Sequence, residues 1–287
     1  ILTLNSIGLT SENYFLQPEI SEIKNPYASA VQEMGADFSI IYQAPDIKWR
    51  ATAYWKSKTN DAIQKMFYHD AFASFVYGVA GEIQTDSKGL EASVETALFS
   101  KIQLSWVGNL QQNGYAKNIP YRLLFLNDLH IMEEGILFVK NLPSSNSPSW
   151  TQALSLVYNP YYTWRLGFNY VFAYQRPVSI DLFRRSSWVK SKLDALSWEQ
   201  LWYNPALENQ GVMNLFLSKL FQQKTKHRTL KWYTRLSVRN LFNSWIPVFA
   251  YEQSRFDYLH FKASKYNLKY LMDNGASFSF NIQLQIQ

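Results

Sequence analysis

The final segment, FSFNIQLQIQ, alternates strictly. Phe278, Phe280, Ile282, Leu284 and Ile286 fall on one side of an extended chain, and Ser279, Asn281, Gln283, Gln285 and Gln287 on the other. A period of two over that length describes a β-strand with one apolar and one wet face, and it is incompatible with the 3.6-residue period of a helix. The scheme recurs upstream. Leu230, Trp232, Thr234, Leu236 and Val238 oppose Lys231, Tyr233, Arg235, Ser237 and Arg239, and Tyr162 to Ala173 repeats it with Trp164, Leu166, Phe168, Tyr170 and Phe172 on the apolar side. Weaker copies run through Met34–Tyr42, Lys48–Lys58, Gly89–Leu98, Ile102–Gln111, Trp150–Tyr158 and Val212–Leu220. The pattern predicts about nine antiparallel strands, each close to the roughly 9–11 residues that a tilted strand needs to cross a bilayer.

Composition says what meets the apolar faces. Charged residues make up only 17% of the chain, against about 25% in an average soluble domain, while aromatics reach 17%. Yet mean hydropathy is −0.25, and no run approaches the roughly 18 apolar residues of a spanning helix. Low charge without a long apolar run suits a barrel wall, in which only alternate residues meet lipid. The apolar faces carry no Asp, Glu, Lys or Arg except Lys219, and aromatics (Tyr42, Trp49, Phe99, Tyr158, Tyr162, Trp164, Phe221 and Trp232) gather at the strand ends nearest the short links, as an interfacial girdle would. Links alternate in length: short at Gln43–Ile47, Ser100–Lys101, Asn159–Tyr161 and Gln222–Thr229, long at Thr59–Lys88, Gln112–Ser149, Arg176–Gly211 and Leu241–Asn274. Short periplasmic turns facing long extracellular loops are the outer-membrane rule. The expected fold is therefore all-β, an antiparallel transmembrane β-barrel segment. Ile1 falls inside a pattern already under way, so the sequence reads as a fragment.

Several chemistries are disfavoured. Without cysteine there is no thiolate nucleophile, disulfide framework or zinc-thiolate site. His69, His130, His227 and His260 lack partners at metal-ligand spacing and are expected as solvated loop or turn residues. Glu91 and Glu95 share a strand face, but four residues of strand hold them about 13 Å apart, beyond the roughly 5–9.5 Å of glycosidase carboxylates. No G-x-S-x-G occurs, and neither enzyme activity nor a cofactor or metal is expected. The net charge of +6 permits an anionic partner such as lipopolysaccharide, but no nucleic-acid-binding signature is present and no nucleic-acid partner is expected.

Four motifs carry a family resemblance: SVRNLFN at Ser237–Asn243, YEQSRFD at Tyr251–Asp257, PVSIDLFRR at Pro177–Arg185, and NPYASAVQEMGADFSIIYQAP at Asn25–Pro45. Together they resemble the C-terminal barrel region of TonB-dependent outer-membrane receptors, in particular those of Bacteroidetes-type bacteria. The resemblance implies a Gram-negative outer-membrane location and a barrel of about 22 strands. It further implies an N-terminal plug domain outside this chain, energy from the TonB complex, and uptake of a scarce solute (a siderophore, vitamin, glycan or peptide), with a surface lipoprotein as a further partner. The family's chains usually end in an aromatic residue, whereas this one ends Ile286–Gln287. About nine strands cannot close a barrel of that diameter and leave two open edges in the outer-membrane lipid.

Candidate functional residues follow from the two faces and the loops. Asp37, Arg50, Glu91, Glu95, Arg165, Arg235 and Arg239 fall on the polar faces and are expected to line the lumen and meet the plug. Arg184, Arg185, Trp188, Trp198, Trp202 and Tyr203 share one long connection and suit a ligand, because Trp and Tyr pair broad apolar contact with a polar handle. Alternatives left open are a porin-like or adhesive barrel without transport, a surface hydrolase, and a soluble β-sandwich binding protein.

Overall fold

In a computed structural model, residues 30–126, 130–202, 206–224, 228–255, 257, 260, 267–273 and 275–286 are described. With 67% of the described residues in strands and 9% in helices, the fold is all-β. Nine strands follow one another as an antiparallel meander: β1 (Gln32–Gln43), β2 (Ile47–His69), β3 (Ser74–Leu98), β4 (Ile102–Tyr115), β7 (Trp150–Tyr158), β8 (Trp164–Tyr174), β11 (Gln210–Lys224), β12 (Thr229–Arg239) and β15 (Ser277–Ile286). Each expected strand is present. Among the described residues, β1 pairs only with β2 and β15 only with β12, so the sheet is open at both edges.

Register decides which side chains share a face, because residues directly opposite in neighbouring strands point the same way. Leu236 of β12 sits opposite Leu217 of β11 and Phe280 of β15, and Leu217 in turn opposite Leu166 of β8. Towards the other edge of the sheet Phe38, Ala53, Leu90, Leu110 and Trp150 form a continuous row, and Trp150 stands opposite Tyr174 of β8, on the same face as Leu166. The apolar positions of all nine strands thus fall on a single face. That face has no protein over it: Phe38, Leu90, Leu110, Leu236, Phe280 and Ile282 are 46–68% exposed. Charge on that face keeps to its margins: Asp86 and Lys88 stand opposite Ser57 and Trp55 near the long-connection end, and Lys219, near the short turns, lies with Nζ 4.4 Å from the Trp164 ring centre and 4.5 Å from that of Phe221. Two rings cradle the charge.

The four long connections are not loops, and the physical reason differs in each. Thr59–Lys88 continues β2 and β3 as a hairpin well beyond the nine-strand wall. Its register shifts between Lys58 and Ile63, with Asn60 and Glu82 at positive φ, so a bulge interrupts the alternation and re-aims the side chains. Past the bulge Val76–Ala80 is buried on both faces, which removes any polar–apolar rhythm. Gln112–Ser149 contains β5 (Ile119–Phe125), which pairs with the upper half of β3 where β4 has ended, and β6 (Ile131–Leu137), which pairs with β5. Arg176–Gly211 holds a two-residue pairing of β9 (Arg176–Pro177) with β10 (Ala206–Leu207), a 3-10 turn at Leu182–Arg185, and helices α1 (Ser187–Lys192) and α2 (Ala195–Trp202). Leu241–Asn274 contains the hairpin β13 (Pro247–Tyr251) and β14 (Lys269–Met272).

These pieces pack into a cap with the molecule's main hydrophobic core. Phe67, Val76, Ile119, Tyr121, Leu137, Leu182, Phe183, Val189 and Leu201 all belong to it. Gly78 lets the Phe183 ring approach so closely that a Cβ there would stand 2.6 Å from it. The wall is a single layer with a bare apolar face; the cap is folded like a small globular domain. No helix among the described residues is long and apolar enough to cross a membrane.

Candidate functional site

Two of the sequence motifs meet in one buried ion pair. PVSIDLFRR and YEQSRFD run side by side, joined by a parallel bridge between Ser179 and Tyr251 and by hydrogen bonds from Ser179 N to Ala250 O and from Glu252 N to Ser179 O. Asp181 caps the 3-10 turn by accepting from Phe183 N, and that turn presents Arg185 to Glu252. The guanidinium donates twice to the carboxylate, at 2.6 and 2.9 Å, and also to the carbonyls of Asp181 and Leu201. Glu252 further accepts from Asp181 N, and Asp181 pairs with Lys65 of the long hairpin at 2.6 Å. Just past β6, Phe138 N donates to Arg185 O, so segments of all four long connections meet around Asp181 and Arg185. Burial alone would raise the Glu252 carboxyl, but the Arg185 hydrogen bond and the charges of Arg185 and Arg184 outweigh it and hold the group below its usual range. A bidentate pair of this kind, in which both terminal guanidinium nitrogens also reach a backbone carbonyl, specifies one arrangement of the cap.

The candidate ligand residues therefore separate. Arg184 and Arg185 are buried, and the Arg185 head is committed to Glu252. Trp188 turns inward, its ring 5.5 Å from His69 and 6.5 Å from Phe72. Trp198 and Trp202, one turn apart on α2, line a surface notch with Phe138 and Lys190. Tyr203 lies outside the described residues. His69, expected to be solvated, is instead fully buried in the cap, and desolvation lowers its pKa to about 4. His130 and His260 are exposed, and His227 lies outside the described residues.

The seven polar-face candidates do share a face. Arg50 donates to Thr52 and Ser39, while Glu91 stands in register with Thr52 and Asp37 with Tyr54. Arg235 and Arg165 flank the Phe216 ring at 4.2 and 5.9 Å, and Arg239 pairs with Asp273 at the rim. Glu95 and Arg165, with Lys48, line a cavity of about 450 Å³ at the short-turn end.

A second cavity, of about 520 Å³, lies where the cap folds over the polar face. Sequence reasoning missed it as a site, although Glu33 and Lys56, two of its walls, are among the alternating polar positions. Its strand walls also include Lys58, Asp61, Ser87, Asn113 and Tyr115, its lid is the Ser144–Ser147 segment, and Ile63, Ile83 and Leu182 supply an apolar floor. Lys56 pairs with Glu33 at 3.0 Å and Lys58 with Asp61 at 2.5 Å, so the charges largely neutralise one another. Ser87 donates to Asn113, and Gln111 ties the lid down by donating to Pro148 O at 2.9 Å. The Tyr115 hydroxyl is pushed up to about 12 by burial and the Asp61 charge, partly offset by Arg185, and so stays a neutral donor. With Asp86 as a further lining carboxylate, hydroxyls, amides and mostly paired charges over an apolar floor suit a hydrogen-bonding solute of ordinary ligand size that carries no negative charge. The sole compositional signal was the lid itself, SSNSPS. Neither models of known protein families nor curated protein sequences match the chain.

Proposed function

We propose that this chain is part of the wall and extracellular cap of an outer-membrane β-barrel receptor that takes up a scarce solute, with energy delivered through TonB. The observation that carries the reading is the single, continuous, uncovered apolar face of nine strands, opposed by a polar face rich in mixed charge. A soluble monomer rarely exposes contiguous apolar patches beyond a few hundred Å². In lipid the same surface is at home. Lys219 fits this setting, since a cation between two rings at the short-turn end reaches the interface along its own stem. The open edges at β1 and β15 would be closed by further strands of the same barrel, and the resemblance of SVRNLFN and YEQSRFD to TonB-dependent receptors supplies the energy source and the plug. The cavity between wall and cap is the solute site in this scheme, and the short-turn cavity with Lys48, Glu95 and Arg165 is where the plug docks.

A pair of adjacent substitutions tests the membrane claim. Leu236→Arg places a charge on the lipid face at a cost of about 2–4 kcal/mol near the midplane and is expected to abolish heat-modifiable, membrane-inserted protein. Ser237→Arg, on the polar face, is expected to leave it intact. Equal tolerance at both positions sinks the assignment. For the site, Ser145→Trp fills the wall–cap cavity and is expected to cut solute uptake by cells about tenfold or more while membrane levels stay unchanged, the loss of about 1.4 kcal/mol of binding or more. Uptake that survives Ser145→Trp overturns the assignment of the solute site, and uptake that survives collapse of the proton-motive force overturns the TonB-energised reading.

A further inference from the structure

The notch on α2 shares no lining residue with the wall–cap cavity. Its construction starts with helix spacing: Trp198 and Trp202 are four residues apart, so their rings lie side by side, 6.2 Å between centres. Asp194 fixes the start of that helix by accepting from Ser197 N and Ser197 Oγ. Leu201, between the two indoles in sequence, is buried in the cap core and turns them toward the surface, where each is only half-buried. Phe138, just past β6, meets Trp198 edge-on at 5.8 Å. Lys190, in the last turn of α1, holds its Nζ 4.3 Å from the Phe138 ring centre and 5.6 Å from that of Trp198. The notch measures about 440 Å³ and also takes in Lys140, Asn141 and Glu199.

Charge and shape point in one direction. Neither Lys140 nor Lys190 has a carboxylate partner among the described residues, whereas Lys56, Lys58, Lys65 and Lys117 all do. An indole pair offers a flat apolar platform to the C–H face of a pyranose ring, and an ammonium at its margin suits a carboxylate carried by that ring. Asn141 and Glu199 supply partners for ring hydroxyls. If these rings served only to pack the helix, they would not also leave an open notch with two unneutralised cations at its lip.

We propose that this notch binds acidic carbohydrate, a uronic-acid-bearing chain, at the surface of the cap. The site lies outside the solute cavity, so it captures or anchors on glycan whether or not that glycan is the transported solute.

The test is a titration of the intact purified protein with trigalacturonate and, separately, with maltotriose, followed by calorimetry. Saturable binding of trigalacturonate, at least about tenfold tighter than that of maltotriose, is expected. Lys190→Met alters an exposed side chain and is expected to remove most of that preference, and Trp198→Ala to weaken trigalacturonate about tenfold or more. Raising the salt concentration should weaken trigalacturonate and leave maltotriose unaffected. Ser145→Trp, which blocks the other cavity, should leave the titration unchanged. No saturable binding, equal affinity for the two sugars, indifference to Lys190→Met, or loss in Ser145→Trp each overturns the proposal. Because the uptake assay above reads the wall–cap cavity, failure of one reading is separable from failure of the other.

Discussion

The lower and upper halves of the β2–β3 hairpin are one continuous pair of strands that obey opposite rules of burial. Below the bulge, Trp49, Ala51, Ala53 and Trp55 face away from Lys48, Arg50, Thr52 and Tyr54, and the apolar side has no protein against it. Above it, Val76–Ala80 is buried on both sides, between the 3-10 turn that carries Phe183 and the neighbouring strands. The same backbone ladder thus serves two surroundings. What changes is the partner of the apolar side chains, and the change is made within a few residues by a shifted register at Lys58–Ile63. Wall and cap should therefore respond separately to damage.

The largest separation is expected at Arg185. Replacing it with Met leaves Glu252 buried and unpaired, which costs about 3–5 kcal/mol, all of it in the cap. Amides of Val76 and Val79 should exchange faster and the cap should become protease-sensitive, while assembly of the wall strands persists. Adding Glu252→Leu should recover much of the loss, because two apolar side chains can replace a buried pair. Collapse of the wall together with the cap would show that the two are one cooperative unit and end the comparison.

A smaller effect is expected from glycine. At Gly78 an added Cβ meets the Phe183 ring at 2.6 Å, whereas at Gly114, near the end of β4, it meets only Leu142 O at 3.4 Å. Gly78→Ala should cost about 1–3 kcal/mol through overpacking, and Gly114→Ala close to nothing, as read by thermal unfolding of the cap. Similar costs at the two sites would mean that the Phe183 contact yields easily and that the cap core is loosely packed.

The division between wall and cap also decided what could be read from the sequence. The β7 bounds Trp150–Tyr158 coincide with those expected, and β12 differs by one residue, because one-sided exposure writes itself as strict alternation. The upper hairpin has apolar residues on both faces and a bulge in the middle, so it carried no period and was expected to be a loop. Glu252 is 67 residues from Arg185, and nothing local in either motif identifies the other as its partner. Trp188 and Trp198 looked equivalent as aromatic loop residues. Which one turned toward His69 and which toward the surface depended on the packing of α1 on β6 and of α2 on the 3-10 turn, a tertiary matter.

The smallest effect separates cap groups by pH. The His69 imidazole takes up a proton near pH 6.5 when unfolded but only near 4 in the cap, so stability is lost as pH falls across that interval. Burial pushes the Glu133 carboxyl from 4.5 up to about 7, so its contribution is lost as pH rises between those values. The two slopes oppose each other between pH 4.5 and 6.5, each at most about 1.4 kcal/mol per pH unit. Glu252, held below its usual range, acts beneath this window. Cap stability of the unaltered protein should thus be nearly flat from pH 4.5 to 6.5. His69→Phe should leave a stability that declines as pH rises, and Glu133→Gln one that declines as pH falls. Denaturant midpoints of the cap at three pH values within the window distinguish these. A steep slope in the parent protein, or flat profiles in both variants, would mean that these two groups do not balance each other and that the pH response of the cap has its source elsewhere.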